Sequence, residues 1–78
     1  MDVIETTDIE LAAYAMARGG GLRRVIPGPR VSFHLEGLGL EEVEIDFVHF
    51  GPRGVGQERL ERLTDLLRSA AAAGRRSS

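Results

Sequence analysis

His34 and His49 are the only imidazoles in the chain, and the carboxylates that could work with them crowd into one stretch: Glu36, Glu41, Glu42, Glu44 and Asp46. Catalysis needs a nucleophile or an acid–base pair with an orienting partner in reach. On a helix, Asp46 and His49 would share a face at i,i+3, the geometry of a partial metal site or of a base with its orienter. The same pair also suits an ordinary wet helix face. His34 falls on the polar side of a strand, where a lone histidine is more often solvated or hydrogen-bonded than a ligand. Ser32, two residues before it, carries no signature of an activated nucleophile, and Thr6, Thr7 and Asp8 read as helix-start residues. The acidic run over 36–46 reads as a solvated face, with a DNA-mimicking strip as the functional alternative. No catalytic, cofactor-binding or metal-binding residue is assigned, and the chain is expected not to be an enzyme and to need no cofactor.

The cations pose a second question. Every basic residue is arginine; lysine and asparagine are absent and glutamine occurs once. Arginine suits bidentate phosphate or carboxylate binding. A GC-rich codon bias, with depletion of labile amides, gives the same composition. Arg18, Arg23, Arg24 and Arg30 gather around a hairpin and could grip phosphates. Against this, the aromatics are few (Tyr14, Phe33, Phe47, Phe50) and fall on core positions rather than on a stacking platform. No nucleic-acid-binding signature is present. The glycine triplet 19–21 beside Arg23 and Arg24 could form an anion nest, but it follows a helix instead of opening one. The loop 51–56 has the glycines of a phosphate loop without its Gly-Lys-Ser/Thr ending.

The elements that must position these groups are read from spacing. Thr7 and Glu10 form a Thr-x-x-Glu capping box, Asp8 lies in the first turn, and Gly19 supplies the stop, which places a helix from about Asp8 to Arg18. Its apolar residues nearly encircle it, so it is central and mostly buried, with Tyr14 at an edge and its hydroxyl wet. Residues 1–5 are a short lead-in whose Val3 and Ile4 could add a strand edge. Leu22–Ile26 and Arg30–Leu35 flank Pro27-Gly28, which reads as a type II turn. Val31, Phe33 and Leu35 give the second strand one buried face. The first alternates poorly (Leu22, Arg24 and Ile26 against Arg23 and Val25) and reads as an edge strand. Residues 40–50 fit two readings. Leu40, Val43, Phe47 and Phe50 make a helical stripe, while Val43, Ile45 and Phe47 alternate as in a strand. A last helix runs from Gln57 to Ala73 with Leu60, Leu63, Leu67 and Ala70 as its stripe, Gly74 as its stop and 75–78 as a frayed tail.

The fold class is therefore α+β: a helix, a β-hairpin, an element that is strand or helix, and a C-terminal helix packed on one sheet face. The expected core contains Ile9, Ala12, Ala13, Met16, Val31, Phe33, Leu35, Val43, Phe47, Leu60, Leu63 and Leu67. At 78 residues this is one domain, with its core over about 6–73 and a short tail over 74–78. A chain of this size gains only roughly 3–5 kcal/mol net from its core, and with no cysteine it has no disulfide to help. Self-association is expected. The net charge of −2 provides no global field for nucleic acid or membrane. Without a signal peptide or an apolar span, a cytoplasmic location is expected.

The run Thr6-Thr7-Asp8-Ile9-x-Leu11-Ala12-Ala13-Tyr14, then Ala-Arg-Gly and a hairpin ending in Val31-x-Phe33, resembles a family of small uncharacterised bacterial and phage domains. Their pattern opens with a Thr-Thr-Asp-Leu-x-Leu-Ala-Ala-Phe/Tyr helix. The resemblance covers roughly residues 6–68, its specificity lies mainly in 6–14, and it implies a fold and a phage or mobile-element setting without an assigned activity. It favours helix over 40–50, where this chain departs from the pattern through Val43, Ile45 and Val48. The function expected is a non-enzymatic interaction module that binds another protein or itself as a homodimer. Its surface would be Leu66 with Ala70, Ala71 and Ala73 of the last helix, beside the bare hairpin edge. Nucleic-acid binding through Arg18, Arg23, Arg24 and Arg30 is the alternative.

Overall fold

The computed structural model describes residues 2–51 and 55–77, with side chains described to residue 73. In chain order come β1 (Asp2–Thr6), α1 (Ile9–Ala17), β2 (Gly21–Ile26), β3 (Ser32–Gly37), α2 (Leu40–Phe50) and α3 (Gln57–Ser77). This is the α+β class read from the sequence, with residues 40–50 settled as helix. The loop expected over 51–56 lies in part, at 52–54, outside the described residues, as does Ser78 of the expected tail.

α1 starts because Asp8, extended at φ −86° and ψ 109°, accepts hydrogen bonds from the amides of Glu10 and Leu11 at 2.9 and 3.4 Å. The cap is thus Asp8 and not Thr7. Thr6 Oγ1 accepts from the Asp8 amide at 3.0 Å, so the cap's own amide is held by Thr6. The stop is as read. Gly19 turns at φ 104°, its amide donates to Met16 O at 3.1 Å, and the Gly20 amide donates to Ala15 O at 2.9 Å. This doubly closed end satisfies the last carbonyls of the helix.

The sheet order is β1-β3-β2, antiparallel throughout. The lead-in is a full edge strand that pairs Ile4 with Leu35 and Thr6 with Phe33. In β2 the pairing shifts between Leu22 and Arg24, so that Arg23 is the extra residue of a bulge. The bulge corrects the alternation expected there: Leu22 and Val25, three apart, both pack against the core while Arg23 and Arg24 are exposed. The connection 27–31 is also longer than a tight type II turn, since Gly28 does not adopt the positive φ such a turn demands.

α1 packs against β1 and β3, α2 against α1 and β1, and α3 against α1 and β2. All three helices therefore cover one face of the sheet, with α1 between the other two. The shortest dimension of the molecule, 19 Å, has room for one sheet and one layer of helices about 10 Å across. This enclosure explains why Leu11, Ala12, Ala13, Tyr14 and Ala15 are buried in succession. It also overturns the wet edge expected for Tyr14, which is 0% exposed. Its ring meets Phe47 edge-on, with centroids 5.3 Å apart at 63°, and its hydroxyl has no hydrogen-bond partner among the described residues.

Every residue expected in the core is there or packs against it, joined by Ile4, Leu11, Tyr14, Ala15, Leu40 and Ala71. α3 buries Leu60, Leu67 and Ala71, and Glu58 meets Arg62 at 3.5 Å on its wet face. Gly74 does not stop this helix, which continues to Ser77. A glycine inside a helix costs only about 1 kcal/mol against alanine and ends one only when the chain turns there.

Candidate functional site

Among the described residues, the uncovered face of the sheet and the outer face of α2 both present side chains that could bind or react. On the sheet, Val3 and Glu5 of β1 stand opposite Glu36 and His34 of β3, and Arg24 of β2 stands opposite His34 from the other side. Ser32 Oγ donates to Glu5 Oε1 at 3.4 Å, and His34 Nε2 lies 3.4 Å from the same oxygen without hydrogen-bonding geometry. The carboxylate thus sits between hydroxyl and imidazole. A nucleophilic triad needs the imidazole between the other two, so that it can take the proton of the hydroxyl. Glu5 was not foreseen as a neighbour of His34, because its role depends on β1 pairing with β3.

The four hairpin arginines do not act as one group. Arg18 Nη2 reaches Asp46 Oδ2 at 3.5 Å and Arg23 Nη1 reaches Glu36 Oε2 at 2.8 Å. Arg24 and Arg30 are exposed and have no ion pair among the described residues. Arg30 lines a groove of about 480 Å³ with Thr7, Ile9, Phe33 and Arg68. Asp46 thus pairs with Arg18, and His49 meets Phe50 edge-on with ring centroids 4.6 Å apart. Among the described residues no three of the His, Asp and Glu side chains come together in a way that could hold a metal ion.

Of the apolar surface expected on α3, Leu66 and Ala73 are exposed, Ala70 is half-buried, and Ala71 lies inside the fold at 8% exposure. The larger apolar display is on α2. Leu40, Val43 and Phe47 turn inward, while Ile45 and Val48 stand outward at 67% and 81% exposure. They are one turn apart and line, with Glu44 and His49, a shallow hollow of about 440 Å³. In the sequence both residues read only as strand formers. The helical phase that faces Leu40, Val43 and Phe47 inward is what puts Ile45 and Val48 outside.

No protein-family model, curated protein or solved structure matches the chain. No helix among the described residues is long and apolar enough to cross a membrane.

Proposed function

We propose that the protein is a non-enzymatic interaction module that docks another protein on the outer face of α2. The exposure of Ile45 and Val48 carries this reading. Single exposed aliphatics are ordinary, but these two adjoin on one helix and share one hollow with Glu44 and His49. Fully covering an aliphatic side chain of this size is worth roughly 1.5–3 kcal/mol. A partner that covers both gains a local anchor, and the isolated domain gains nothing from them.

The nucleic-acid reading has less support. Arg18 and Arg23 already answer carboxylates. Tyr14 and Phe33 are buried and Phe47 is half-buried against Tyr14, so three of the four aromatics offer no free face for a base. The resemblance carried by residues 6–14 adds a phage or mobile-element accessory role to the proposal, and a cytoplasmic location goes with it.

The test is a comparison of retained partners. Immobilised wild type and Leu66→Ser should retain the same protein from an extract of the native cell, and the double variant Ile45→Ser/Val48→Ser should lose it. Thermal melting should show all three folded alike. Retention by the double variant at wild-type level would remove α2 from the account.

A further inference from the structure

Resting on the docking face just proposed, we infer the chemistry of what it takes: a basic amphipathic helix. Its apolar stripe covers Ile45 and Val48, and its arginines or lysines meet the glutamates around them. Between Arg30 and Arg53 the chain holds five carboxylates and no arginine. Two of the five are answered within the fold, Glu36 by Arg23 at 2.8 Å and Asp46 by Arg18 at 3.5 Å. Glu41, Glu42 and Glu44 are exposed and form no ion pair among the described residues.

The spacing ties these acids to the apolar pair. Glu41 and Glu42 stand one turn before Ile45, and Glu44 stands one turn before Val48. The face is therefore an aliphatic centre bordered by three glutamates, with His49 beside it. Glu41 and Glu42 also suit the positive end of the helix dipole, but Glu44 lies beyond the first turn and gains nothing from it. At eleven residues, α2 is about 16 Å long and matches roughly three turns of a partner helix.

The same rim disfavours a second copy. A two-fold contact through α2 would bring both copies' Glu41, Glu42 and Glu44 into one interface, and like charges gathered at a contact oppose it. Charge complementarity selects a cationic partner, and the exposed aliphatics select one with an apolar stripe.

Three synthetic helical peptides of one length and one leucine stripe test this, differing only in the polar face: arginine, glutamine or glutamate. They are titrated into isotope-labelled full-length protein while amide shifts are followed. The arginine peptide should shift α2 resonances, bind at least tenfold tighter than the glutamine peptide, and weaken as salt rises; the glutamate peptide should not bind. Glu41→Gln/Glu42→Gln/Glu44→Gln should lower affinity for the arginine peptide about tenfold, as three exposed charge pairs of a few tenths of a kcal/mol each would. Ile45→Ser/Val48→Ser should abolish its binding.

Equal binding of all three peptides at α2 would overturn the basic partner and leave the docking face standing. Binding of the arginine peptide that the serine pair does not weaken would overturn both, because charge alone would then explain it. Concentration-dependent light scattering abolished by Ile45→Ser/Val48→Ser would make the occupant a second copy, which overturns the basic partner while α2 remains the face.

Discussion

The Tyr14 hydroxyl is enclosed by α1's neighbours without a hydrogen-bond partner among the described residues. A buried polar group left unpaired costs about 1–3 kcal/mol. The ring contributes packing against Phe47 that phenylalanine would keep. Tyr14→Phe should therefore raise stability by about 1 kcal/mol, or about 4–8 °C in melting temperature for a domain of this size. A fall in melting temperature would mean that the hydroxyl has a partner. Gly20 presents the opposite case. A Cβ there would meet Ala15 O at 2.9 Å and Leu40 Cδ2 at 3.0 Å. The first of these is backbone at the closed end of α1, so Gly20→Ala should destabilise by about 1–3 kcal/mol, seen as an earlier urea midpoint. Ile45→Ser and Val48→Ser, in contrast, should leave the midpoint within about 0.5 kcal/mol of wild type, because exposed side chains away from such features contribute little.

At the scale of elements, the start of α1 separates two readings that differ by one residue. Asp8→Ala should cost about 1 kcal/mol by removing the acceptor for the Glu10 and Leu11 amides. Thr7→Ala should change almost nothing, and chemical denaturation of the two variants side by side distinguishes them. The helix itself, its glycine stop, the hairpin and the leucine stripe of α3 were all legible, because each rests on local spacing or on a local backbone requirement. What stayed hidden depends on contacts distant in sequence. Ile4 and Glu5 acquire their roles only when β1 pairs with β3, and the bulge at Arg23 exists because β2 must keep register with the same strand. The two readings of residues 40–50 have a physical cause of the same kind. A strand would have placed Val43, Ile45 and Phe47 on one face; the helix keeps Val43 and Phe47 inside and leaves Ile45 out. The residue that made the segment hard to read is thus one of the two that now define its outer face.

The whole molecule is a single sheet with one side covered by helices, and its charge is unevenly spread. All ten arginines lie outside residues 31–52, whereas α2 carries four of the twelve acids. With Arg18 and Arg23 engaged in ion pairs, a labelled DNA duplex at physiological salt should bind no tighter than the roughly 10⁻⁴ M of weak non-specific binders. Fluorescence anisotropy measures this. A micromolar affinity that Arg24→Ala or Arg30→Ala weakens would move the functional surface from α2 to the hairpin. The central claim is that the partner sits on α2, and a photoreactive side chain reports it most directly. Placed at position 48 in the native cell, it should yield a cross-linked protein that untagged wild type competes away and Ile45→Ser does not. Placed at the exposed position 66 of α3, it should yield none. Cross-linking of the same protein with equal efficiency from 66, or from 66 alone, would contradict the account.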